Sequence, residues 1–128
     1  MSNKKKGSNA ERELVRICTE NGWRAIRVAG SGVNDDSPCD MIIGKQGKGY
    51  VIEAKSSKNP NIYITKEQIN DFVVFAKMIG LRPVIAVRFN HKGWLFLNPE
   101  QLRDSGKNWV VSLKAALEQG QRFGQFFE

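Results

Sequence analysis

Hydrophobic residues recur along this chain with two different periods, and the switch between them marks out its elements. Leu14, Val15 and Cys18 fall on one side of a helix, and Ser8-Asn-Ala-Glu11 ahead of them matches a capping box. A helix is therefore expected from Ser8 to about Glu20, stopped by Gly22. Trp23 to Val28 alternates as a strand, with Arg27 on the face opposite Ile26 and Val28, and runs into the small-residue turn Ala29-Gly-Ser-Gly32. Asp40-Met-Ile-Ile-Gly44 and Tyr50-Val-Ile-Glu-Ala-Lys55 are short, apolar and β-branched. Lys45-Gln-Gly-Lys-Gly49 between them is turn chemistry, so the two segments are expected to pair as a hairpin.

The second half repeats this alternation. Ser56 to Pro60 is a polar link and Asn61-Ile-Tyr-Ile64 a short extended piece. Thr65-Lys-Glu-Gln68 is another capping box, opening a helix to Ile79 that Gly80 ends. Its apolar positions Ile69, Phe72, Val73, Phe75, Ala76 and Ile79 cover more than the single stripe needed to pack on a core. The surplus points to a helix that also meets another subunit. Val84–Phe89 and Trp94–Leu97 read as strands around the turn Asn90–Gly93, Asn98-Pro99 breaks the pattern, and Ser112 caps a last helix from Leu113 to Gln119. The tail gathers Phe123, Phe126 and Phe127, which should pack on the domain or on a partner.

Size and charge narrow the function. A chain of 128 residues with 41% hydrophobic content makes one domain, here residues 8–128 behind a basic arm of residues 1–7. The formal net charge of +7 and a pI near 9.7 predict a polyanionic partner, and nucleic acid fits best because no amphipathic membrane-surface helix stands out. Lys4, Lys5 and Lys6 in the arm are candidate phosphate contacts. With no signal peptide and no membrane-spanning run, the protein is expected to be soluble and cytoplasmic, in a cell or in the host of a virus. Cys18 and Cys39 offer neither a disulfide framework nor a zinc pattern, and His91 is a turn residue with no assigned role.

The candidate chemistry lies on the hairpin. If its turn centres on Gln46-Gly47, Asp40 sits opposite Glu53; if on Gly47-Lys48, it sits opposite Lys55. In either register Asp40, Glu53 and Lys55 share a face, because strand side chains alternate with period two. Converging carboxylates repel one another unless they hold a hard cation such as Mg2+, with Mn2+ as a substitute and the Ala54 carbonyl as an added oxygen ligand. Such an ion would polarise a phosphodiester and acidify a water, while Lys55 orients that water or offsets transition-state charge. The plain alternative is that Glu53-Ala-Lys55 forms an exposed ion pair of little consequence. Glu11 also has two readings, as the last member of its capping box or as a carboxylate at the head of the buried stripe that needs a partner.

Taken together, Lys6-Gly-Ser-Asn-Ala-Glu-Arg-Glu-Leu-Val15, Arg27-Val-Ala-Gly-Ser-Gly32, Asp40, Glu53-Ala-Lys55, Ile62-Tyr-Ile64 and Pro83-Val-Ile-Ala-Val-Arg-Phe89 strongly resemble the archaeal-type Holliday junction resolvases of the PD-(D/E)xK nuclease superfamily. The resemblance implies an α/β, restriction-endonuclease-like fold with a central mixed sheet flanked by helices. It also implies a symmetric homodimer that nicks two opposed strands of a four-way DNA junction with Mg2+ or Mn2+. It further implies catalytic carboxylates at Glu11, Asp40 and Glu53 and a catalytic lysine at Lys55. Arg12 and Arg27 become phosphate ligands or transition-state stabilisers, and Ser31 a DNA or phosphate contact. Two departures stand out. The order Pro38-Cys39-Asp40 separates the proline from the aspartate that it normally precedes, which makes Asp35 and Asp36 rival ligands, and no motif of the family matches the segment after Asn98. Helix 66–79 is the candidate dimer interface. The competing readings are another nuclease of the superfamily, cutting flaps or linear duplex, and a nucleic-acid-binding module without catalysis.

Overall fold

The computed structural model describes residues 3–28 and 37–128, with side chains from Asn9 onward. Among these residues a five-stranded mixed sheet forms the centre, in the order β1 (Arg24–Arg27), β2 (Met41–Lys45), β3 (Lys48–Ser57), β5 (Arg82–Phe89) and β6 (Gly93–Leu97). All neighbours are antiparallel except β3 and β5, which are parallel. Their crossover carries β4 (Asn61–Thr65) and α2 (Lys66–Ile79). A smaller antiparallel sheet, ordered β4, β8 (Asn108–Ser112) and β7 (Arg103–Asp104), lies beside the first. This is the mixed sheet flanked by helices that the sequence led us to expect; the small sheet, built partly from the segment without motifs, was not foreseen.

Each face of the main sheet carries its own apolar layer. Ala10, Leu14 and Cys18 of α1 (Asn3–Glu20) repeat at helical spacing and pack with Met41, Ile43, Tyr50, Ile52, Val84, Ala86 and Phe96. On the opposite face Ile69, Phe72 and Ala76 of α2 and Ala116 of α3 (Leu113–Gln119) meet Val51, Ile85, Val87, Leu95 and Leu97. Ile62, Ile64 and Val111 of the small sheet join that second layer, so the two sheets share one core. The aromatic tail, α4 (Phe123–Phe126) and Phe127, packs on the domain itself: Phe127 lies edge-on to Trp23, Tyr50 and Phe96 at centroid distances of 5.6, 5.0 and 5.0 Å.

The caps explain where the expected boundaries hold and where they move. Thr65 Oγ1 accepts from the Gln68 N–H at 3.1 Å, Gly80 closes α2 with φ 72°, and Ser112 accepts from the Ala115 N–H at 3.0 Å. Helix α1, in contrast, starts at Asn3. Lys4, Lys5 and Lys6 therefore fall within the backbone of a longer helix, Ser8 is not its N-cap, and Glu11 is a mid-helix residue. Gly7 directly before Ser8 disfavours helix by only about 1 kcal/mol, no proline interrupts, and three lysines are good helix formers, so the helix extends past a usable cap.

Candidate active site

The hairpin turn sets the register of the site. Gln46 and Gly47 both have positive φ, 51° and 82°, the type I′ geometry that suits the twist of a two-residue hairpin. This centres the turn on Gln46-Gly47 and pairs Met41 with Ile52. The regular ladder ends there. Asp40 N–H donates to the Ile52 carbonyl at 2.9 Å, so Asp40 and Met41 both face one residue of β3 and form a bulge. Asp40 is thus not simply opposite Glu53, as an unbroken ladder would have it. Its carboxylate is turned along the strand to accept from the Ala54 N–H at 2.8 Å. Beyond Ile52, residues 53–57 of β3 are paired with β5 and not with β2, so among the described residues no strand pairs with the other side of β3 where the candidate residues collect.

Three carboxylates sit at this point. Glu11, Asp40 and Glu53 are 8%, 7% and 3% exposed and are the buried charged side chains among the described residues. Burial, then the neighbouring charge of Asp40, push the Glu53 carboxyl up to about 9, against the relief that Lys55 supplies. Asp40 is the neighbour whose charge bears most on Glu53, so the two carboxylates are unfavourable together while both are ionised. Lys55, half-buried, brings Nζ to 3.8 Å from Glu53 Oε2. The same oxygen accepts from Gln68 Nε2 at 2.9 Å. Sequence reasoning missed this contact. Gln68 reads as the last member of a capping box, but only its backbone N–H caps; the side chain leaves Thr65 and reaches the site.

Glu11 comes from α1 and not from the hairpin, and its charge is felt at Glu53. Its carboxylate accepts from Arg27 Nε and Nη2 at 3.3 and 3.2 Å, so the buried acid is held by the last residue of β1. Arg12, next along α1, is exposed and free to meet solvent or a phosphate. Ser31, and the rival ligands Asp35 and Asp36, lie outside the described residues, as do the side chains of Lys4, Lys5 and Lys6. Cys39, buried beside Asp40, has its thiol pushed up to about 11, by burial first and then by the Asp40 and Glu53 charges. It is an inert neighbour rather than a nucleophile.

This donor set fits a hard cation. Among the described residues no group of three or more His, Cys, Asp or Glu side chains closes into a ready-made cage. The arrangement is instead a buried acid pair, Asp40 and Glu53, with Lys55 beside Glu53 and the Ala54 N–H on Asp40. In a strand the carbonyl of a residue points to the same side as its N–H, so the Ala54 carbonyl faces the side where β2 has ended. Carboxylate and carbonyl oxygens of this kind are ligands for Mg2+, Mn2+ or Ca2+. The net charge of +7 makes burial of three acids at one place more telling, because the surface is otherwise set for an anion.

Comparison with known proteins shows the family. A family model described as archaeal Holliday junction resolvase (Hjc) matches residues 2–128. The chain is 40% identical over 108 residues to a crossover junction endodeoxyribonuclease Hjc of Methanocaldococcus jannaschii, covering 84% of this chain and 76% of that protein. It is 33% identical to the Hjc of Archaeoglobus fulgidus over 98% of its own length and 94% of the relative's. The solved structure of Archaeoglobus fulgidus Hjc, a Holliday junction resolvase from a hyperthermophile, superimposes with a TM-score of 0.84 at 26% identity and covers 94% of both chains. Among the described residues no helix is long and apolar enough to cross a membrane.

Proposed function

The chain belongs to the archaeal Holliday junction resolvase (Hjc) family and is a junction-resolving endonuclease, and from that premise we propose which of its residues carry the reaction. The family is one of divalent-metal-dependent nucleases acting on junction DNA. Asp40 and Glu53, joined by the Ala54 carbonyl and by Glu11, hold the ion, which is Mg2+ with Mn2+ as a substitute. The observation that carries this assignment is the burial of Asp40 and Glu53 together beside Ala54, where β3 is paired with β5 and no longer with β2. When bound, the ion supplies Lewis-acid polarisation of the scissile phosphate and lowers the pKa of a water.

The chain's own residues do the rest. Ala54 N–H fixes the Asp40 carboxylate, and Lys55, half-exposed at the mouth of the site, orients the attacking water and offsets charge that gathers on the phosphoryl oxygens. Arg27 is anchored by Glu11 and, with exposed Arg12, receives the DNA phosphates on the α1 side. Ser31 and the lysines 4 to 6 extend those phosphate contacts.

The working unit is a homodimer that places paired, symmetric nicks. Two sites related by a two-fold axis address the two equivalent phosphodiesters of a four-way junction. Val74, Met78 and Ile79 leave an apolar stripe of α2 exposed, at 46%, 80% and 43%, and α2 is the proposed interface. The enzyme acts where its DNA lies, in the cytoplasm of a cell or of a viral host.

A synthetic four-way junction incubated with Mg2+, beside linear duplex and flap DNA of the same sequences, tests this reading. Metal-dependent paired nicks on the junction alone, lost in Asp40→Asn, are expected. Equal cutting of all three substrates would replace resolution with a less selective nuclease, and junction binding without cutting under any divalent metal would leave a binding module.

A further inference from the structure

We propose that Gln68 is a positioning residue of the nuclease site, whose side-chain amide commits one oxygen of Glu53 and leaves the other for the cation. The proposal rests on the metal-dependent reading above and adds to it a residue from a different element. Gln68 Nε2 donates to Glu53 Oε2 at 2.9 Å, and Lys55 Nζ approaches that same oxygen at 3.8 Å. Both donors converge on Oε2, so Oε1 is left clear of them. Glu53 is 3% exposed, which shuts out the water that could otherwise orient its carboxylate.

Gln68 is itself well anchored. It stands in the first turn of α2, half-buried, with its backbone N–H bound to Thr65 Oγ1 at 3.1 Å. A glutamine at this place in a capping box ordinarily folds back to the N-cap backbone. Here it is diverted to a buried acid, a choice that leaves the cap half made and has no purpose in helix stability. An amide also suits the task chemically. It donates without adding positive charge, so it holds the carboxylate without repelling the cation. Carboxylates that bind metal are generally fixed by such outer hydrogen bonds, and loss of one costs about 10–100-fold in affinity.

The test is Mn2+ binding to the whole protein, read from the free-ion electron paramagnetic resonance signal, for wild type, Gln68→Met and Gln68→Glu. Methionine keeps the length and removes the donor; glutamate keeps the shape and adds a further carboxylate. Neither removes the backbone N–H that caps α2. Gln68→Met is expected to weaken Mn2+ binding about 10-fold or more, with a cooperative melting transition retained and unchanged junction affinity in chelator. Its cleavage should recover as Mn2+ is raised, which no merely structural defect would do. Gln68→Glu should shift the Mn2+ dissociation constant too, and it stands in if the methionine variant does not fold. Wild-type Mn2+ affinity in both variants would overturn the role of Gln68 and leave the nuclease reading intact. Failure of the wild type itself to bind Mn2+ would overturn both.

Discussion

Glu53 concentrates the conflict between folding and function in one carboxyl. Its ordinary value is 4.5, and burial with the Asp40 charge raises it to about 9 in the folded chain. Between those values the folded state keeps a proton that the unfolded chain has released. The stability contributed by this proton is therefore complete below about 4.5 and is lost as pH climbs through 9. Metal-free protein should accordingly melt at progressively lower temperature from pH 6 to pH 9, and a divalent ion should restore the loss at the alkaline end. Glu53→Gln mimics the protonated acid and can still accept from Gln68. In chelator at pH 8 it should melt about 4 °C or more above the wild type, with a flatter pH profile, while cleavage disappears. Melting curves of the two proteins that run parallel across this range would refute the account. Arg27 makes the reverse case, because it satisfies a buried acid. Arg27→Met should cost about 1–3 kcal/mol of stability in denaturant titration and reduce cleavage by at least 100-fold, as order of magnitude, since it removes both a partner of Glu11 and a phosphate ligand.

Elements differ in how openly the sequence announces them, and α2 shows both extremes. Its ends were legible, because Thr65 and Gly80 are local signals that act through neighbouring backbone groups. The direction of the Gln68 side chain was not, since it depends on where a strand fifteen residues earlier comes to rest. The hairpin turn was legible to within two registers from Gln46 and Gly47, whereas the Asp40 bulge arises from where the ladder stops, which no local pattern states. Strand β8 was overlooked because its partner β4 lies far back in the chain, and its Trp109-Val-Val111 run alone is too short to distinguish from the lead-in to a helix. That Asp40, Glu53 and Lys55 lie near one another was legible from their spacing, whereas the hydrogen bonds and ion pair that Ala54, Gln68 and Arg27 make with Asp40, Glu53 and Glu11 are tertiary. Two predictions belong at this scale. Met78→Asp, on the exposed stripe of α2, should convert a dimer to a monomer in sedimentation analysis, leave the melting temperature of the fold nearly unchanged, and uncouple the paired nicks. A variant that stays dimeric would move the interface off α2. Phe127→Ala, in the tail, should cost about 3–5 kcal/mol in denaturant titration, because Phe127 is buried among Trp23, Tyr50 and Phe96.

At the scale of the whole molecule, a net charge of +7 is combined with three buried acids, and the two should act on DNA in opposite directions. The basic surface draws the phosphate backbone from a distance and releases its counterions, so junction affinity should fall linearly on a log–log plot against salt. The acids repel the one phosphate that must come closest. On the proposed site a divalent ion would remove that repulsion at the cleavage point alone, and productive seating of the DNA would then depend on metal. The prediction concerns Asp40→Asn, which deletes one of the repelling charges and can keep the hydrogen bond from Ala54 through its amide oxygen. In chelator it should bind a four-way junction at least as tightly as the wild type, with the same dependence on salt, because the basic surface that releases counterions is untouched. With Mg2+ present the wild type should gain affinity and cut, whereas the variant should gain little and leave the junction whole. Binding assays across a salt series, with and without Mg2+, separate the two contributions. Should Asp40→Asn bind more weakly than the wild type without metal, the buried carboxylates would be supporting the DNA surface rather than opposing it.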